Sequence, residues 1–300
     1  MFIIFILTLL QFVNGNVLRS STREWEYLAK HPTITHINVS DINLSDITLS
    51  IWDGFVEKCP SIPTQPKIQI AFDYGIQNTN ILAWASQSLH LTSNGTWVSS
   101  IYEAMLQNRN YSLGHSYDMT IGVNPSPPNG WFIEENCSNI SFRYDLRTVL
   151  KHEFLHGIIM AGSLRENASG EWIAGYSFNN VCYPRLYDTK ITDVNNNSVL
   201  SNGCNLGDVV GKELFINGVR LYHPFYYQQG SSISHIDFPS NLMYASLPAM
   251  TCLNLGHYEA LVLSELGISC TINNRTYNSA TKSTIGCVYV IIIMLIFLLY

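Results

Sequence analysis

The run His152-Glu153-Phe154-Leu155-His156 concentrates groups that can do chemistry in five consecutive residues. Side chains four apart on a helix stand on one face, one turn apart, so both imidazoles can grip a single metal ion. Glu153 lies beside them, within reach of a water molecule on that metal. Zinc lowers the pKa of such a water to about 7 and polarises a peptide carbonyl. The glutamate then takes the proton of the water and hands it to the leaving amine. The plain alternative is two surface histidines flanking a solvated glutamate.

A catalytic zinc wants a third protein ligand. The short-spaced pattern HExxHxxGxxH is absent, because Ile159 and Gly162 occupy its glycine and third-histidine positions. The ligand must come from farther along, from His223, His235, His257, Glu166 or Glu171. No second-helix pattern surrounds the two glutamates, and His257 falls in a terminal helix. His235 is the preferred choice, because Met243 follows it closely in Asn241-Leu242-Met243-Tyr244. Taken alone, Met243 would read as ordinary core packing. Tyr244 could contact a substrate or transition state, or simply pack. Asp237 could orient a ligand from behind.

These residues need elements to hold them. Asp145 can cap a helix whose stripe is Leu146, Leu150, Phe154 and Ile158, roughly opposite the histidines, with Gly162 as a stop. Lys67–Asp73 alternates polar and apolar residues like a strand, and Tyr117–Val123 predicts a second. Between them, Thr96–Leu106 reads as helix or strand. Residues 124–130 form a Pro/Gly-rich loop, and 163–230 are loop-rich. A last helix is expected from about Leu255 to Leu266, closed by Gly267.

In combination, these pieces resemble the leishmanolysin-type metzincins. The resemblance rests on HExxH followed by Gly157, a long insertion, Ser232-Ile233-Ser234-His235 and the Leu242-Met243 turn. Asn129-Gly130-Trp131-Phe132, Tyr144-Asp145-Leu146, Tyr187-Asp188 and Leu263-Ser264-Glu265-Leu266-Gly267 add to it, over roughly residues 67–270. It implies an α+β, two-lobed zinc peptidase. A twisted mixed sheet and the active-site helix would form the N-terminal lobe, and an irregular C-terminal lobe with a terminal helix would supply the rest. His152, His156 and His235 would bind one catalytic zinc, Glu153 would be general base and acid, and Met243 would floor the metal. The chain is shorter than leishmanolysin and has fewer cysteines. It carries no clear cysteine-switch propeptide, although Cys59 could cap the zinc if it were not in a disulfide.

The chain ends read as addresses. Residues 1–15 are uncharged and apolar, a signal peptide cut after Gly15, with a buried N-terminal helix as the alternative. Nine Asn-X-Ser/Thr acceptors start at Asn38, Asn43, Asn94, Asn110, Asn136, Asn139, Asn167, Asn196 and Asn274, favouring a secreted glycoprotein. Asn278-Ser279-Ala280, a short polar spacer and the apolar run from Cys287 to Tyr300 read as a glycosylphosphatidylinositol (GPI) signal attached at Asn278. A C-terminal membrane helix is the alternative. Loss of Cys287 with that tail leaves six cysteines, an even set suited to disulfides in an oxidising compartment. Cys252 and Cys270 bracket one helical segment and form the first guess for a pair. No spacing suggests a cysteine metal site.

Composition bounds what remains. With 300 residues, 47% hydrophobic and 13% charged, the chain can build a large core and is not mostly disordered. A net charge of −6 without a basic stripe excludes a general nucleic-acid binder. The segments read as signal peptide 1–15, N-terminal extension 16–66, catalytic lobe 67–162, C-terminal lobe 163–272 and anchor region 273–300. The expectation is a zinc metalloendopeptidase on the extracellular face of the plasma membrane, acting on proteins or peptides. The alternative is an inactive GPI-anchored adhesion or recognition protein on the same scaffold. A non-peptidase zinc hydrolase has no motif of its own.

Overall fold

The computed structural model describes residues 33–37, 44–62, 68–76, 81–107, 117–166, 172–202, 204–206, 209, 211–273 and 275–277. Residues 1–15, Glu171, the acceptors Asn38, Asn43, Asn110, Asn167 and Asn274, and the anchor site Asn278 with its tail lie outside them.

Strand β1 (Thr33–Ile37), helix α1 (Ser45–Lys58) and strand β2 (Gln69–Asp73) follow in order. β1 and β2 pair in parallel, as a helical crossover requires. β3 (Ala83–Gln87), β4 (Leu89–Leu91), β5 (Trp97–Ser99), helix α2 (Ser100–Gln107) and β6 (Met119–Val123) come next. The main sheet has the order β1-β2-β6-β3, with β6 parallel to β2 and β3 antiparallel on the edge. In β2, Ile70, Ala71 and Phe72 are all fully buried, because both faces of this inner strand are covered.

Helix α3 (Leu146–Ile158) packs against β3, β6 and α1. Its Asp145 cap forms as expected, with the carboxylate accepting from Thr148 N at 3.0 Å. Leu146, Leu150, Phe154 and Ile158 are buried along one stripe. Gly157 permits the close approach to the sheet: a Cβ there would lie 2.2 Å from Met119 Sδ.

One helix boundary differs from the sequence reading, and one stretch left open there takes both forms. α3 ends at Ile158, four residues before Gly162, because nearby groups capture the backbone that would continue it. Met160 O is held by His156 Nδ1, Ala161 O by Arg185 and Ser163 N by Asp188. The ambiguous stretch 96–106 is both elements in turn, β5 and then α2. The Ser/Thr/Asn-rich extension also contributes β1 and α1, neither of which its composition announced.

The described residues between 163 and 256 form short hairpins and turns around buried Tyr187, Ile191, Leu214, Ile233, Ile236 and Met243, continuous with the sheet core. Helix α4 (His257–Glu265) follows, with Glu259 accepting from Gly256 N at 3.0 Å. The described chain is thus α+β, with one small mixed sheet and four helices.

Three disulfides join Cys59–Cys270, Cys137–Cys252 and Cys182–Cys204. The expected Cys252–Cys270 pair is not formed. Each of the two instead reaches back across the fold, to the residue after α1 and to the loop before α3. Three cross-links fit the oxidising environment of an extracellular protein. Asn94, Asn136, Asn139 and Asn196 are all exposed, as glycan acceptors must be. Among the described residues, no helix is long and apolar enough to cross a membrane.

Candidate metal centre

α3 presents His152 and His156 one turn apart into a cleft of about 730 Å³. Across the cleft, the segment 230–236 brings in His235. The three Nε2 atoms form a triangle with all sides 3.1 Å. Two nitrogens on a tetrahedral zinc at about 2.0–2.1 Å would stand roughly 3.3–3.4 Å apart, so the triangle is near the required size. These three histidines can hold a metal ion.

The far sides of the rings decide their protonation. His152 Nδ1 donates to Leu242 O at 2.7 Å, His156 Nδ1 to Met160 O at 2.6 Å and His235 Nδ1 to Ser231 O at 2.8 Å. A neutral imidazole carries one N–H, so each Nε2 is left with a lone pair. Burial disfavours the charged form, taking His152 down to about 4 and His235 to about 3. His156 also falls well below its ordinary value, from burial first and then the two neighbouring imidazoles. Three lone pairs therefore converge with no proton to share between them. Such a set is repulsive by itself and satisfied by a cation.

Glu153 lines the same cleft. It is only 6% exposed, and burial raises its carboxyl to about 8. A divalent cation at the histidines would pull that value back down. Tyr244 is half-buried in the cleft wall, its ring edge-on to Tyr222. Met243 is fully buried, with its N–H on Glu259 at 3.1 Å and its carbonyl taking Ile236 N at 2.7 Å. It thereby anchors the turn whose Leu242 carbonyl aligns His152.

The remaining candidates lie elsewhere. His223 Nε2 donates to Val209 O at 3.0 Å, and its ring lies edge-on against Trp172. His257 is exposed at the start of α4, and Glu166 is exposed in a short hairpin. Asp237 forms an ion pair with Arg220 and does not stand behind a ligand, because backbone carbonyls fill that role for all three rings. Cys59 is in a disulfide, so its sulfur is not a thiolate. Cys137, Asp145 and Cys252 also cluster, but the two sulfurs are bonded to each other.

Arg185 and Gln87 carried no sequence signal, and the positioning roles of Asp188, Tyr187 and Ile233 were not read from the sequence. Arg185 lines the cleft, with Nη1 3.0 Å from both Gln87 Oε1 and Ala161 O, and Nη2 3.1 Å from Tyr176 OH. Gln87 in turn donates to His156 O. Asp188, fully buried, accepts from Ser163 N at 2.9 Å and fixes the chain leaving α3. Burial pushes its carboxyl up, while its bonds from Ser163 and Arg185 pull it down. Ile233 adopts φ +72°, a strained conformation for a β-branched residue, two positions before His235. Tyr187 OH on Ile233 O at 3.0 Å and Ile233 N on Tyr222 O at 2.6 Å hold it there.

Comparison with protein families, curated proteins and solved structures finds no match to this chain.

Proposed function

We propose that the protein is a zinc metalloendopeptidase. The observation that carries this reading is the three convergent Nε2 lone pairs, with Glu153 beside them in one open cleft. Zinc held by His152, His156 and His235 would supply Lewis acidity, polarising a scissile carbonyl and easing deprotonation of water. Glu153 accepts that proton at its carboxylate and delivers it to the leaving amine nitrogen as the C–N bond breaks. Its buried setting, which favours the protonated form, suits the delivery half of that cycle. Tyr244, in the cleft wall, can donate its phenol hydrogen to the developing oxyanion.

The position of β3 supports a peptide substrate. This edge strand lines the cleft from Ala83 to Gln87 beside α3. An extended peptide can lie along such an edge and satisfy its main-chain groups. That favours cleavage within a chain over small-molecule hydrolysis. The apolar ends of the sequence and its nine acceptors support secretion and a lipid anchor at Asn278. Release from cells by phosphatidylinositol-specific phospholipase is expected; a protein that stays membrane-bound has a spanning helix instead.

The test of the activity is Glu153→Gln. Cleavage of a peptide library should fall by at least about 10²–10⁴-fold while zinc content is unchanged. An adhesion protein on the same scaffold would show zinc but no chelator-sensitive cleavage even with Glu153 intact. Full activity in Glu153→Gln would remove the mechanism.

A further inference from the structure

On the side of α3 away from the metal, between α3 and α1, lies a second cavity of about 330 Å³. It falls at the lower end of the roughly 300–1,000 Å³ range of small-molecule sites. Its floor is apolar: Ile51 and Phe55 from α1, Phe154 and Ile158 from α3, and Leu255. Its rim is cationic, with Lys58, Arg147 and Lys151. The single carboxylate lining it, Glu135, is 81% exposed and touches Arg147 only at 3.4 Å. Lys151 Nζ meets only neutral acceptors, Asn254 Oδ1 at 2.6 Å and Leu253 O at 3.4 Å.

Three cations surround the single carboxylate that lines the cavity, which leaves this rim short of negative charge. The floor asks for hydrocarbon. One ligand class answers both demands. We propose that this cavity binds a medium-chain fatty acid, its carboxylate received by Arg147, Lys58 and Lys151 and its alkyl chain by the floor. An inorganic anion would leave the floor empty, and a neutral hydrocarbon would leave the rim unmatched. The site does not depend on zinc or on the peptidase reading.

Gly54 offers a way to close the cavity without harming the fold. It lines the space, sits inside α1, and an added Cβ meets nothing within 4 Å. Leucine there is a better helix former than glycine and fills the mouth.

The test titrates the purified full-length protein with dodecanoate below its micelle concentration, by calorimetry. Saturable binding at one site is expected. Octanoate should bind more weakly, by up to about fourfold for each methylene it lacks. Dodecanol should bind about 10–100-fold more weakly than dodecanoate. The pair Arg147→Gln with Lys58→Gln should weaken dodecanoate by a similar factor and leave dodecanol unchanged. Gly54→Leu should abolish both while its thermal midpoint is no lower than that of wild type. Any of four results overturns the proposal: no saturable binding, equal affinity for dodecanol, undiminished binding by folded Gly54→Leu, or binding to acidic phospholipid vesicles without binding free dodecanoate.

Discussion

The two halves of the metal centre are built in opposite ways. His152 and His156 stand on a regular helix, where a four-residue spacing alone aligns them. His235 stands in a segment without regular structure, placed by single hydrogen bonds and a strained residue. Yet its Nε2 is as close to each helical partner as those two are to one another. The helix achieves its geometry through a repeating backbone pattern. The irregular half needs a specific constraint at almost every step: Ser231 O on His235, Tyr187 and Tyr222 on Ile233, and Glu259 on Met243.

If both halves serve one ion, their ligands should weigh equally despite this difference. His152→Ala and His235→Ala should each weaken zinc affinity by at least about 100-fold, measured by competition with a chelator. A far smaller loss for His235→Ala would make the irregular half an onlooker. The halves should differ instead in what stabilises them. Replacing Cys182 and Cys204 by alanine removes a cross-link spanning 22 residues in the hairpin region. A loss of about 3 kcal/mol is expected in chemical denaturation. Protease nicking and hydrogen exchange should report it first in residues 172–236, with α3 still protected.

Proton linkage offers a milder probe. Burial sets the folded values of His152 at about 4 and His235 at about 3, below the ordinary 6.5. Between these limits the unfolded chain binds more protons, so stability rises with pH through that window. In metal-free protein each of these histidines should therefore contribute a loss of up to about 1.4 kcal/mol per pH unit as pH falls from about 6.5 towards 4, against an opposite contribution from Glu153, whose buried carboxyl keeps its proton in the folded state up to about pH 8. His152→Gln should flatten the slope by one such increment; an unchanged slope would mean that the ring is not buried neutral. Smallest of all, Tyr187→Phe removes one buried hydrogen bond to Ile233 O. It should cost about 0.5–1.5 kcal/mol and weaken zinc less than either histidine substitution does.

The same contrast explains what could be read from the chain beforehand. The capped helix at Asp145, its apolar stripe and the strands near 69–73 and 119–123 follow from local periodicity. α1 carried the same kind of signal in Ile47, Ile51 and Phe55, hidden by the Ser/Thr/Asn character around it. His235 was reachable only through its neighbour Met243. The carbonyls of Leu242, Met160 and Ser231 left no trace, since every residue type supplies one. Arg185, Gln87 and the disulfide partners were equally silent, because their contacts depend on how distant segments meet. Cys252 found Cys137, 115 positions away, in preference to the nearer Cys270.

The most direct measurement is the zinc content of purified wild-type protein beside His235→Ala, by elemental analysis after exhaustive dialysis. Wild type should retain a single zinc per chain, and His235→Ala should retain essentially none while keeping its far-ultraviolet circular dichroism. Zinc retained equally by the variant, or absent from wild type dialysed in zinc-containing buffer, would contradict a three-histidine metal centre.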